Sequence, residues 1–274
     1  MTAVLSKPAS FTVDEFAALA RRVGVADVPT VLDVRSRYPS VTEREVAVEW
    51  ATRNLVSRRV VADGVVDPEW VEVLQALARP DREVAVRLVT PDGTARISVV
   101  RRGSVGVVAR RIGEEISVRT LEHGAELSSV TAAVLAELPR SRAAEVVSVG
   151  APTPEMVERL GDTGDPRELA DRIRGLGVEP RAAMTLGSAL GSREAFAEIV
   201  SYALAAEEGR ICRAPGAVAV FYTKRGRLVA APSMSPAGQL WTTVKSGTDH
   251  AVSQAVGQLV EFSDEGWGTT GFSG

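Results

Sequence analysis

The sequence predicts an α+β fold made of two quasi-repeated halves, each with antiparallel β-strands and flanking helices, sharing a central sheet. Three observations lead there. Gly93 and Gly216, Gly103 and Gly226, and Gly124 and Gly247 are each separated by the same 123 residues, with no gap. In both blocks, strand-like alternation over 83–120 and 210–245 precedes a helical stripe. A period of this kind sets the whole architecture. Finally, the chain holds 274 residues, of which 45% are hydrophobic and 24% charged, enough to bury a full core in two fused units. The halves are expected at 1–150 and 151–274, with a loose tail from about 264.

The first helix is predicted to start at Val13, because Thr12 and Glu15 form a capping box and Phe11 and Phe16 a hydrophobic staple. Phe16, Leu19, Ala20 and Val23 share one face, and Gly24 supplies a left-handed stop. Thr42 with Glu45, flanked by Val41 and Val46, repeats the device for a helix through Trp50 to about Val56. A third helix opens on Asp67-Pro68, turns Trp70, Val73, Leu74 and Leu77 inward, and stops at Pro80. Strands follow at 84–89 and 95–99 around Thr90-Pro91-Asp92-Gly93, then at 105–109 and 116–121. After His123-Gly124, the residues Leu127, Val130, Val134, Leu135 and Leu138 make a helical stripe that Pro139 ends.

The stretch 141–150 reads as a linker or short bridging strand. Thr153-Pro154, Asp165-Pro166, Glu179-Pro180 and Ser192 then supply helix starts, so a small helical bundle is expected over the next ~55 residues. Strands return at 217–222, 227–231 and 239–244. Val252, Val256, Leu259 and Val260 form the closing helical stripe.

Composition excludes several functions. The net charge of −3 gives no general pull toward nucleic acid phosphates. The single Cys212 can form neither an intramolecular disulfide nor a thiolate metal cluster, which fits a reducing cytosol. No secretory leader is visible at 1–11, and no apolar run approaches the ~20 residues of a membrane span. His123 and His250 lack the companions of a helix-borne metal site, so no metal or cofactor is expected. Lys245-Ser246-Gly247 matches one triplet of serine-acylating enzymes, but the S-x-x-K and S-D-N companions are missing. Turn chemistry explains it. Gly187-Ser188-Ala189-Leu190-Gly191 is neither a nucleophile elbow nor a phosphate loop, and suits a close helix crossing. No catalytic residue is assigned.

Arg101-Arg102 and Lys224-Arg225 with Arg227 occupy corresponding turns of the two halves. A solvated hairpin turn is the main reading, and an interface anchor the alternative, since arginine is enriched at interfaces. Phe221 and Tyr222 are adjacent strand residues and point to opposite faces, so they cannot share one core layer: one faces either a partner or the helical bundle that covers its side of the sheet.

The order of these segments resembles the EspG family, the cytosolic chaperones of type VII secretion systems in mycobacteria and related actinobacteria. The stretches that carry the resemblance are 11–16 leading to Val28-Pro29-Thr30-Val31-Leu32, then 60–68, 74–84 and Val99-Val100-Arg101-Arg102-Gly103. The junction Leu77-Ala78-Arg79-Pro80-Asp81-Arg82-Glu83 is the most specific of them. The resemblance implies two related α/β halves around a central antiparallel sheet, without enzymatic activity. It further implies a chaperone that binds the apolar tip of the PPE subunit of PE–PPE heterodimers, keeps the pair soluble and routes it to its secretion system. In the family, the central sheet and the helical bundle of the second half form the docking surface, which points here to 182–204 and 221–227. Exposure reasoning places partner contacts at Phe196, Tyr202, Phe221, Tyr222, Lys224, Arg225, Arg227 and Trp241. A cytoplasmic protein, monomeric or weakly dimeric when free, is expected. The alternatives are a small-molecule or peptide-binding protein using the cleft between the halves, and a serine-dependent hydrolase with His250 as its base.

Overall fold

The computed structural model describes residues 5, 8–25, 27–35, 38–205, 209–263 and 266–268. The first strand, β1 (Ala9–Thr12), runs into α1 (Val13–Arg22), and the capping box forms as its residue types require. The Glu15 amide donates to Thr12 Oγ1 at 3.1 Å, and the Thr12 amide donates to Glu15 Oε2 at 2.9 Å. Phe11 and Phe16 are both buried, with Trp70 edge-on to Phe11 at 4.9 Å. A 3₁₀ turn (Thr30–Leu32) leads to α2 (Val41–Ser57). Here the expected cap is displaced: Ser40, not Thr42, accepts from the Glu43 amide at 3.2 Å, so the helix begins two residues earlier. The expected staple does not form either, because Val41 and Val46 are 62% and 60% exposed.

A short hairpin, β2 (Val61–Ala62) and β3 (Val65–Val66), precedes α3 (Pro68–Ala78), capped by Asp67. Four long strands follow: β4 (Arg82–Thr90), β5 (Gly93–Arg102), β6 (Val105–Ile112) and β7 (Glu115–Leu121). They meander antiparallel and end in α4 (Leu127–Glu137).

The second half opens with β8 (Val149–Pro152), α5 (Thr153–Leu160), α6 (Pro166–Arg174) and α7 (Pro180–Gly191). Ser192 does not start another helix. It leads into β9 (Arg193–Ala205), the longest strand among the described residues, which folds back through β10 (Arg210–Arg213). Then come β11 (Val218–Thr223), β12 (Gly226–Met234), β13 (Leu240–Ser246) and α8 (Asp249–Glu261).

All strands except the β2–β3 hairpin join one sheet, in the order β1-β7-β6-β5-β4-β9-β11-β12-β13-β8, with β10 alongside β9. The order reads as a palindrome about the β4–β9 pair. Each half contributes four meandering strands and a closing helix, and the two units meet through antiparallel pairing of Arg82 with Ala203 through Val89 with Phe196.

The pleat then decides the layers, because alternate residues face opposite sides. Val84, Val86, Leu88, Ile97, Ile199, Val218 and Val220 pack under α4 and α8 on one face. On the other face, α1–α3 cover Val100, Val107, Ile116 and Val118. There α5–α7 cover Leu228, Ala230 and Val244. The two helical groups stand over the outer strands and leave the middle of that face uncovered.

The repeated glycines sit where backbones touch. A Cβ on Gly124 would lie 2.4 Å from the Gly106 Cα, and one on Gly247 would lie 2.8 Å from the Arg227 backbone. Both contacts bring the loop before a closing helix against the start of the third strand of that half. Gly124→Ala is therefore expected to cost about 1–3 kcal/mol in urea unfolding, the usual range for overpacking. A cost under about 0.5 kcal/mol would show that the crossing relaxes freely. Gly187 does the corresponding work between α6 and α7, where a Cβ would meet the Ala170 amide nitrogen at 2.7 Å.

The expected loose tail has an ordered portion: Trp267 is 1% exposed and its Nε1–H donates to the Gly124 carbonyl at 2.9 Å. Residues 264–265 and 269–274 lie outside the described residues. Among the described residues, no helix is long and apolar enough to cross a membrane.

Candidate functional site

The uncovered middle of the sheet is a groove of about 480 Å³ floored by β4 and β9. Because Val84, Val86 and Ile199 point to the α4–α8 side, the pleat turns Glu83, Ala85 and Arg87 of β4 and Glu198, Val200 and Tyr202 of β9 into it. The 3₁₀ turn closes one wall with Thr30 and Val31, and β10 the other with Ile211 and Arg213. Ile211 is 61% exposed, an apolar rim on a polar floor.

Charges in the groove are mostly paired side by side. Arg87 reaches Glu198 at 3.2 Å across the β4–β9 pair, and Arg96 reaches Asp33 at 3.5 Å. Being solvated, each is worth no more than about 1 kcal/mol to the fold. Glu83 differs. Its Oε1 accepts from Ser98 Oγ at 2.7 Å, and burial pushes its carboxyl above the usual range despite that hydrogen bond.

A second concavity of about 330 Å³ lies between α5 and the second half of the sheet. Its walls are apolar: Met156, Val157 and Leu160 of α5, with Phe221, Pro232 and Leu240 beneath. Pro154 in the first turn of α5 sets the helix start, and a hydroxyl contact of 2.8 Å between Thr153 and Thr242 ties that start to β13. Val157 remains 64% exposed at the mouth. Between groove and cleft, the Arg193 guanidinium lies 5.9 Å from the Phe196 ring and 5.9 Å from the Phe221 ring, which are paired across β9 and β11.

Of the residues expected at an interface, the structure brings together Phe196, Tyr202 and Phe221 on the groove side of the sheet. Tyr222 and Trp241 fall on the opposite face, with Tyr222 buried among the residues beneath α4 and α8. Lys224 and Arg225 are exposed in the β11–β12 turn. Arg227 is 1% exposed and ties β12 to the start of α8, donating from Nε to the Gly247 carbonyl at 2.6 Å and pairing with Asp249. It cannot meet a partner from there. The stretch 193–204, expected as helix, is the strand that forms the groove floor.

Burial raises the Tyr222 phenol to about 12. A folded value above the unfolded ~10 means that stability is lost as pH rises from ~10 through the folded value. In an absorbance titration one of the three tyrosines should therefore ionise late, and Tyr222→Phe should remove that step. Unaltered late ionisation in the variant would assign it elsewhere.

The Lys245-Ser246-Gly247 triplet carries no arrangement for acyl transfer. Ser246 Oγ donates to the Ala144 carbonyl at 2.6 Å, and Lys245 Nζ to Gln254 at 3.4 Å. Both histidines are exposed, and no described group of His, Cys, Asp or Glu is placed to hold a metal ion. Arg87, Met156, Val157 and Leu160 carried no sequence signal as site residues, and Glu83, Glu198 and Val200 only that of the stretches 74–84 and 182–204 that contain them. The alternation of 196–202 carried the signal for the β9 members.

Residues 12–258 match the model of the EspG family. The chain is 27% identical over 264 residues to the ESX-1 secretion-associated protein EspG1 of Mycobacterium tuberculosis (strain ATCC 25618 / H37Rv), covering 93% of this chain and 87% of that protein. It is 26% identical over 252 residues to the ESX-3 secretion-associated protein EspG3 of Mycolicibacterium smegmatis (strain ATCC 700084 / mc(2)155), covering 90% and 84%. Among solved structures, the fold matches the M. tuberculosis type VII secretion system chaperone EspG5, determined in complex with a PE25–PPE41 dimer. That match has a TM-score of 0.80 at 19% identity and covers 96% of this chain and 100% of that one.

Proposed function

The chain belongs to the EspG family, and from that premise we propose that it is a cytoplasmic secretion chaperone. In this reading it holds the apolar tip of the PPE subunit of a PE–PPE heterodimer and directs the pair to a type VII secretion system. The observation that carries the reading is the open face of the central sheet, bordered by an apolar cleft under α5. An exposed apolar tip needs a concave apolar seat with a polar rim, reversible enough to hand the client on. The α5 cleft supplies the seat, the charged groove floor supplies the rim, and Phe196 and Phe221 join the two. Tyr202 is a contact at the groove end. Lys224 and Arg225 stand on the solvent-exposed β11–β12 turn.

The test is co-expression of the tagged chain with PE–PPE pairs from the same organism, followed by affinity purification and size-exclusion chromatography with light scattering. A stable complex with one copy of each protein is expected. If the folded chain leaves every pair behind, the chaperone reading fails.

A further inference from the structure

We propose that Glu83 is the specificity-determining acceptor of the docking groove, and that the client presents an arginine or lysine side chain to it. This rests on the chaperone reading of the same groove. Glu83 stands at the floor of the groove on β4, opposite Tyr202 of β9, and its Oε1 is held by Ser98 Oγ. None of the groove's described cations pairs with it: Arg87 of β4 reaches Glu198 of β9, and Arg96 of β5 reaches Asp33 after the 3₁₀ turn. Arg213 of β10, two strands away across β9, lines the groove as an exposed cation and makes no ion pair with Glu83. Burial already lifts the Glu83 carboxyl above its ordinary range.

A client that covered this floor with purely apolar groups would seal a charge away from water without compensation, which is strongly unfavourable. A neutral donor would satisfy one lone pair and leave the charge uncompensated. A cationic side chain satisfies both, so the groove rejects tips lacking one while the α5 cleft accepts any apolar tip. Selectivity of this kind works through the penalty imposed on wrong partners.

The test measures affinity of the captured PE–PPE pair for wild type, Glu83→Gln and Glu83→Asp between pH 5 and 8, with thermal unfolding of each. Glutamine keeps an acceptor for Ser98 and removes the charge. Glu83→Gln should bind at least about tenfold more weakly at pH 7.5 while unfolding no earlier than wild type, since a penalised charge is gone. Wild-type affinity should fall as pH drops through the raised Glu83 value, and the Gln variant should lack that fall. Glu83→Asp should recover part of the affinity. Equal or tighter binding by Glu83→Gln, or a pH dependence shared by both proteins, overturns the proposal. Absence of binding by wild type at every pH is a separate result, counting against the chaperone reading.

Discussion

Trp267→Ala is expected to destabilise the protein by about 3–5 kcal/mol, the range for deleting a fully buried aromatic side chain. Trp267 is 1% exposed and packs into the core that Val130, Val134, Val252 and Val256 of α4 and α8 form over the sheet. Its indole N–H donates to the carbonyl of Gly124, the glycine whose missing Cβ lets that loop touch Gly106. Its own carbonyl accepts from the fully buried guanidinium of Arg101. The segment therefore joins β5, the loop before α4, and both closing helices. Trp267→Phe, which keeps the ring and loses the donor, should cost about 1–3 kcal/mol, the penalty of a buried acceptor left unpaired. Urea unfolding of the three proteins is the measurement. An alanine variant within about 0.5 kcal/mol of wild type would mean that this segment is not docked in solution.

Much of the frame was readable because its signals are local. Thr12, Asp67, Asp165 and Glu179 cap helices through oxygens placed for the task, and Pro68, Pro154, Pro166 and Pro180 occupy first-turn positions. The 123-residue offset captures β11, β12, β13 and α8, which fall 123 residues after β5, β6, β7 and α4. It fails at β4. Shifted by 123, residues 82–90 land on 205–213, whereas the strand that pairs with β4 at the centre is β9, beginning at Arg193.

Glu194, Ala195, Ala197 and Glu198 favour helix, and the preceding helical pattern reinforces that reading. The alternation of Phe196, Glu198, Val200 and Tyr202 with Ala197, Ile199 and Ser201 obeys the period of a central strand, and pairing on both edges overrides propensity. The groove was hidden for the same reason, since its floor exists only once β4 and β9 meet. The cap of α2 was misplaced by a narrower ambiguity: Ser40 and Thr42 both precede acidic residues by three positions, and the earlier one captures the helix.

Val157→Asp and Val200→Asp should each weaken PE–PPE binding by more than about 100-fold, or ~3 kcal/mol. Val157 lies at the mouth of the α5 cleft and Val200 on the groove floor between Glu198 and Tyr202. A carboxylate at Val157 would be desolvated against the apolar tip, and one at Val200 would add a further buried charge beside Glu198 that a single client cation at Glu83 does not compensate. Val157 is 64% exposed, so its substitution should leave stability within about 0.5 kcal/mol. The decisive comparison is α2, where Val46 and Trp50 are 60% and 64% exposed one helical turn apart. Exposure alone would rank that stripe beside Val157, but it lines neither the groove nor the cleft. Trp50→Asp is therefore expected to bind like wild type. If calorimetry instead shows Trp50→Asp losing the client while Val157→Asp and Val200→Asp retain it, docking occurs on the N-terminal helices and the sheet face is not the site. Loss in all three would extend the interface across both helical layers, a surface larger than the groove and cleft together.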